Sequence, residues 1–136
     1  MPFRIPTSYG PGIIWFLIVL FLLTLPGSEI PNPIPWMQKI YFDKWVHAGL
    51  FAVLTWLWLN PTLRTGKTLS TQRMVTTVFV IIAWGLATEY IQDQWVPFRS
   101  FEWSDWGADA AGTLMGAIFF HQITLPKHKK RNSSFK

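Results

Sequence analysis

The ionisable side chains that could do chemistry stand at the ends of apolar runs, where a charge is costly and needs a partner or a function. Asp43 and His47 are four residues apart at the start of one such run, so on a helix they share a face. Four further polar groups follow at spacings of three or four residues within two later runs: Glu89, Gln92, Asp105 and Asp109. If these runs are helices, their polar ends meet at one side of the molecule.

The cations that the spacing brings near these carboxylates are fewer than the carboxylates. The cations are His47, Lys44 and Arg99, whereas the carboxylates number four: Asp43, Glu89, Asp105 and Asp109. At least one carboxylate therefore stays in excess, even with His47 charged, and is expected to be protonated, hydrated or bound to a cation. Lys44 lies about 100° around the helix from Asp43 and is expected to reach toward the surface.

Three kinds of site fit this set, and the sequence leaves the choice between them open. In a catalytic site, His47 with Asp43 or Glu89 would act as a general base. Arg99 and Lys44 would hold an anionic head group, Arg99 bidentately. The candidate catalytic residues are Asp43, His47, Glu89 and Asp105. The candidate ligand-binding residues are Lys44, Gln92, Arg99 and Asp109.

The other two kinds of site are a metal centre and a non-catalytic pocket. A divalent metal would be held by His47, Glu89 and one of Asp105 or Asp109, of which Asp105 is the first candidate. No H-E-x-x-H signature supports this centre. A pocket would bind an amphiphile or a partner protein through the same side chains.

Composition predicts that these residues belong to a membrane protein. The chain has 136 residues, enough for one domain, and is 50 % hydrophobic and only 14 % charged, against about 25 % in a soluble domain. The absence of cysteine excludes disulfides and thiolate metal sites. Four apolar runs predict four transmembrane helices, at about 12–26, 43–60, 74–92 and 105–125.

The first apolar run is short and follows a basic residue, as in a signal peptide. No A-x-A-like cleavage site follows it, so an uncleaved helix is favoured. Residues 1–11 are then an N-terminal cytoplasmic segment, residues 12–125 the transmembrane domain and residues 126–136 a basic cytoplasmic tail.

The distribution of charge predicts the orientation of the helices. Nine of the 12 basic residues lie before the first run, between the second and third, and after the fourth, where there is no acidic residue. The opposite side holds three basic residues and all seven acidic ones. Because an excess of Lys and Arg marks the cytoplasmic side, both termini are predicted to be cytoplasmic. The tail then faces anionic lipids, and nucleic-acid binding is not expected.

Gly112 and Gly116 continue the row of Asp105 and Asp109 at nearly the same spacing. Small residues let a second helix approach closely in a membrane. This stripe therefore predicts a helix-packing face that clamps the polar residues against their neighbours.

Tryptophans collect at the side that carries the acidic residues. They are Trp36, Trp45, Trp95, Trp103 and Trp106. This distribution is typical of an interfacial aromatic belt. The proline-rich connector before the second run is expected to be extended, with a short interfacial helix around Trp36–Tyr41.

The order and spacing of these residues resemble the VanZ-like family. The matching pieces are Asp43-Lys44-x-x-His47, Glu89-x-x-Gln92, Pro97-x-Arg99 and Asp105-x-x-x-Asp109-x-x-Gly112-x-x-x-Gly116, which together span more than half of the chain. The family pattern usually has Asn where this chain has Asp109, a departure that adds a possible charge and weakens a role that needs an amide donor. The resemblance implies a small multi-helix protein of the bacterial envelope, in a family whose founding member is associated with teicoplanin resistance. It implies no particular reaction.

The expectation is an all-α protein of the bacterial cytoplasmic (inner) membrane. Its outer-facing site of Asp, His, Glu and Arg residues would bind a lipid-linked or amphiphilic envelope molecule, such as a cell-wall intermediate, with a resistance-like role by resemblance. One alternative is a membrane enzyme acting on a lipid-phosphate. Another is a scaffold or assembly subunit whose Gly112 and Gly116 face contacts a second membrane protein. No cofactor is predicted beyond the metal considered above.

Overall fold

The computed structural model describes residues 9–29, 34–64 and 69–125, and all regular elements in these ranges are helical. The all-α prediction is confirmed for this part of the chain. The α-helices are α1 (Gly10–Leu23), α2 (Pro35–Lys39), α3 (Phe42–Leu59), α4 (Pro61–Arg64), α5 (Thr71–Trp95) and α6 (Trp103–Phe119). A 3₁₀ turn (Gly27–Glu29) follows α1, and a π-helical turn (Phe120–Thr124) extends α6. The predicted basic tail, residues 126–136, lies outside the described ranges, as do residues 1–8 of the predicted N-terminal segment.

Local sequence explains where the long helices begin and end. Pro11 lies in the first turn of α1, where its missing N–H has no helical partner to lose. The Ser70 hydroxyl accepts a hydrogen bond from the backbone N–H of Arg73 at 3.2 Å and caps the start of α5. At its other end α5 reaches Trp95, three residues beyond the predicted limit, because Pro97 restricts only the residue before it.

Contacts between the helices fix their directions. The Trp15 indole N–H donates to the Leu50 carbonyl at 3.0 Å, and Gly12 lies beside Leu57, so α1 runs antiparallel to α3. The Gln92 amide donates to the Leu23 carbonyl at 2.8 Å, so α1 and α5 end at the same level. The chain reverses direction between α1 and α3 and again between α5 and α6, so α3 and α6 run side by side in the opposite direction.

One end of the bundle therefore gathers the last turns of α1 and α5 and the first turns of α3 and α6. We call it the acidic end, because every acidic residue of the chain lies there: Glu29, Asp43, Glu89, Asp93, Glu102, Asp105 and Asp109. At the opposite end Arg73 binds the hydroxyl of Tyr9. The acidic residues that spacing predicted to lie at one side of the molecule therefore lie at one end of the folded bundle.

Glycines bring α6 directly onto α3. A Cβ atom at Gly112 would overlap the carbonyl oxygen of Ala48, and one at Gly116 would overlap that of Ala52. Backbone therefore packs on backbone along this stripe, as small residues permit. The face that was considered for a partner protein is occupied by α3 of the same chain.

The described part of the bundle buries as many polar as apolar side chains and exposes many large apolar ones. Apart from glycine and proline, its described residues include nine buried polar or charged side chains and nine buried apolar ones. Large apolar side chains are exposed instead, such as Phe79 at 72 %, Phe21 at 63 % and Met115 at 57 %. Two helical segments, Phe42–Leu63 and Thr71–Trp95, are long and apolar enough to cross a membrane. In the second, only 22 % of the most apolar window is buried within the molecule.

Candidate functional site

His47 and Asp109 form the centre of the acidic end. The Nδ1 atom of His47 lies 2.9 Å from Oδ1 of Asp109, and both side chains are buried. The other ring nitrogen, Nε2, lies 3.8 Å from Oδ2 of Asp105. The imidazole is thus held between two carboxylates of α6, which sequence spacing placed on one face of that helix.

Glu89 approaches the same centre from α5. One of its oxygens, Oε2, accepts the backbone N–H of Glu102 at 3.0 Å, a donor at the start of α6 that has no partner within the helix. The whole residue is 0 % exposed. The side chain of Glu89 therefore fixes the start of α6 relative to α5 and leaves its other oxygen for the centre.

Two carboxylate oxygens in this centre have no hydrogen-bond partner among the described residues. They are Oε1 of Glu89 and Oδ2 of Asp109, both fully buried. A buried oxygen without a donor costs free energy, and more when the group is charged. Gly85 makes room for Asp109, since a Cβ atom on Gly85 would lie 3.1 Å from both Cβ and Oδ2 of Asp109.

His47, Glu89 and Asp109 could together hold a metal ion. Each offers one donor atom, and these atoms lie within 4.8 Å of one another. The sequence left the third metal ligand open between Asp105 and Asp109. In the structure Asp109 completes the group, whereas the first candidate, Asp105, binds Lys44. We name His47, Glu89 and Asp109 the buried triad.

Lys44 binds the carboxylates around the mouth of the triad. Its ammonium lies 2.9 Å from Asp43 and from Glu102, and it also contacts Asp105. Its side chain is 21 % exposed. Three carboxylates of its own chain thus bind Lys44, and its predicted role in holding an anionic head group stays a prediction.

Asp43 and Gln92 lie away from the triad. The Asp43 side chain is 60 % exposed and its partner is Lys44. Gln92 is buried and donates to the Leu23 carbonyl at 2.8 Å, so it joins α5 to α1. This hydrogen bond is a contact between helices, and the predicted role of Gln92 in ligand binding stays a prediction.

Arg99 is a cation that has no partner among the described residues, and exposed Lys39 is another. It lies half-buried in the loop between α5 and α6 and makes no hydrogen bond or ion pair with any described residue. Sequence spacing predicted that Arg99 lies near the carboxylates, but in the structure Arg99 forms an ion pair with none of them. Its guanidinium remains available to an anion from outside.

An apolar groove of about 570 Å³ lies beside this loop. One wall comes from α5 and the other from the residues that lead into α6. The lining residues are Ala83, Leu86, Ala87, Tyr90, Phe101 and Trp103. Phe101 follows Arg99 by two residues, so the groove and the free guanidinium share one loop. The sequence identified Trp103 only as part of an aromatic belt.

Glu102 is the site residue that sequence reasoning missed. Its backbone N–H binds Glu89 and its carboxylate binds Lys44. The available signal was its position just before an apolar helix, where acidic residues are favoured.

Comparison with known proteins returns no matching family model, no matching curated protein and no matching solved structure.

Proposed function

We propose that the chain is a multi-pass protein of a bacterial cytoplasmic membrane that binds an amphiphile with an anionic head group at its acidic end. The observation that carries the proposal is an apolar groove whose wall includes Phe101, two residues after Arg99, an arginine that has no partner among the described residues. The groove suits an acyl or isoprenoid chain, and Arg99 suits a phosphate or carboxylate.

The exposed apolar side chains support the membrane environment. They extend along α1, α5 and α6, where water would make them an extensive exposed patch. With its π-helical turn, α6 runs from Trp103 to Thr124, a length of about 30 Å that matches a bilayer core. α1 has 14 residues and would reach about 21 Å, which local thinning of the bilayer can accommodate.

The charge asymmetry supports an outward-facing acidic end. Basic residues flank the opposite end in the sequence, and positive charge favours the cytoplasmic side. Exposed Trp36, Trp45, Trp95 and Trp103 surround the acidic end, as expected where helices leave the hydrocarbon region. The groove would then be open to lipids of the outer leaflet.

The resemblance to the VanZ-like family agrees with an envelope role and is proposed on the motif residues alone. The scaffold alternative loses its expected surface, since Gly112 and Gly116 already pack on α3. The enzyme alternative keeps one supporting observation, the hydrogen bond between His47 and Asp109, a pair suited to acid–base catalysis.

Lipid binding to the purified chain tests the proposal. The chain is placed in nanodiscs of phosphatidylcholine and titrated with phosphatidic acid, with binding followed by native mass spectrometry. Arg99→Gln should weaken binding at least about tenfold, because a hydrogen bond to a charged group contributes about 1.5–3 kcal/mol. Ala87→Trp should weaken it by filling the groove.

The matched controls are the same changes made elsewhere. Arg73→Gln lies at the opposite end of the bundle, and Ala111→Trp lies on an exposed face of α6 outside the groove. Both should leave binding unchanged. Equal losses in variants and controls would contradict the proposal. Release of inorganic phosphate by the wild type, absent in His47→Gln, would favour the enzyme.

A further inference from the structure

We propose that the buried triad of His47, Glu89 and Asp109 is a binding site for one divalent transition-metal ion, of the class of Zn²⁺ or Mn²⁺. This site is separate from the groove and from Arg99, and it does not depend on the proposed lipid ligand.

The unpaired oxygens are the first argument. Oε1 of Glu89 and Oδ2 of Asp109 belong to residues that are 0 % exposed, and neither has a donor among the described residues. Such oxygens need a proton or a cation nearby. Both oxygens belong to residues of the triad, each of which offers one donor atom within 4.8 Å of the others.

Charge balance and donor type are the second argument. Two carboxylates and a neutral imidazole together neutralise one divalent ion. Imidazole nitrogen suits Zn²⁺ and related metals, while carboxylate oxygen also suits Mn²⁺. A catalytic zinc site usually has three protein donors and one further position for water or a ligand.

The surrounding contacts are the third argument, since they would orient each donor. A metal-bound histidine commonly donates its second N–H to a carboxylate. Nε2 of His47 lies 3.8 Å from Oδ2 of Asp105, so this donation requires the two groups to close to the ordinary length of about 3.0 Å, and Lys44 binds the other oxygen of Asp105. The backbone N–H of Glu102 holds Oε2 of Glu89 and leaves Oε1 for the ion.

The geometry requires the three donors to draw together around the ion. In a tetrahedral zinc site, with bonds of about 2.0–2.2 Å, two donor atoms lie about 3.3–3.6 Å apart. The donors of the triad lie within 4.8 Å of one another. The side chains must therefore close on the ion by up to about 1.5 Å.

Metal content and binding of the full chain test this inference. Untagged protein in detergent is stripped with chelator, dialysed and titrated with Zn²⁺ and separately with Mn²⁺ by calorimetry, and bound metal is counted by mass spectrometry. Cobalt substitution supplies an absorption spectrum that reports nitrogen and oxygen ligation. One ion per chain is expected, with an increase in the melting temperature on binding.

Isosteric variants locate the ion. Glu89→Gln and Asp109→Asn should each weaken binding by more than about 100-fold, since loss of an orienting partner alone costs about 10–100-fold. Asp105→Asn should cost about that smaller amount. Glu29→Gln, the same change at an exposed glutamate of the acidic end, should bind as the wild type does.

Two results would overturn the inference. One is a folded, monodisperse wild-type chain that binds neither metal. The other is stoichiometric binding that persists undiminished in folded Glu89→Gln or Asp109→Asn protein, which would place the ion elsewhere. If one variant does not fold, the other decides.

Discussion

Replacing Gly112 by alanine should destabilise the bundle by separating α3 from α6. The new Cβ would overlap the Ala48 carbonyl oxygen and lie 2.7 Å from its carbonyl carbon and Cα. Since carbon atoms pack at about 3.5–4.0 Å, the helices must move apart by about 1 Å at this point. Overpacking of this kind costs about 1–3 kcal/mol. The same displacement would stretch the 2.9 Å contact between His47 and Asp109, at a further cost of about 1 kcal/mol.

Alanine also favours a helix over glycine by about 1 kcal/mol, which offsets part of this cost. The net loss expected for Gly112→Ala is therefore about 1–3 kcal/mol. Gly107→Ala is the matched control, in the same helix, because a Cβ there has nothing within 4 Å. It should gain up to about 1 kcal/mol.

Thermal unfolding in one detergent, followed by circular dichroism, compares the two variants. The two variants then differ by about 1–4 kcal/mol, so at roughly 4 °C per kcal/mol for a chain of this size Gly112→Ala should melt about 4–16 °C below Gly107→Ala. Equal melting temperatures, at or above that of the wild type, would show that α3 and α6 do not meet at Gly112. The packing account would then be wrong.

Two other changes separate contacts between helices from ligand binding. Gln92→Leu should destabilise the chain by about 1–3 kcal/mol, because the buried Leu23 carbonyl loses its donor, and lipid binding should stay as in the wild type. The control Gln94→Leu, at an exposed position, should change the free energy of unfolding by less than about 0.5 kcal/mol. Loss of lipid binding in folded Gln92→Leu protein would return Gln92 to the ligand site. Lys44→Met should lower the free energy of unfolding by about 1–3 kcal/mol, because the Asp105 side chain, which is 11 % exposed, loses its cation. Adding Asp105→Asn to this variant should restore part of the loss. Lys39→Met, at an exposed lysine, is the control, and an equal loss there would refute the role of Lys44.

The helices and the common level of their polar ends could be predicted from the sequence. Apolar runs set the helix lengths, and Pro and Asn-Pro mark where most of them stop. The three- and four-residue spacings placed Asp105, Asp109, Gly112 and Gly116 on one face, and the structure shows that face against α3. Helix periodicity is enough for this, because it is a property of a single helix.

The partners of individual side chains could not be predicted, because they depend on how helices lie beside one another. Spacing placed Lys44 off the shared face, and only the position of α6 decides that Asp105 and Glu102 surround it. Gln92 binds Leu23 on α1, a helix that its own motif does not include. Arg99 follows a helix end, where the path of the loop and not periodicity sets its direction.

Cysteine labelling tests most directly whether the acidic end faces outward from a membrane. The chain has no cysteine, so single cysteines report one position each. Ser100→Cys lies in the exposed loop at the acidic end, and Gln72→Cys in the exposed first turn of α5 at the opposite end. In intact spheroplasts, a membrane-impermeant maleimide should label Ser100→Cys at once and Gln72→Cys only after permeabilisation. Labelling of Gln72→Cys but not Ser100→Cys, or equal labelling of both before permeabilisation, would contradict the account.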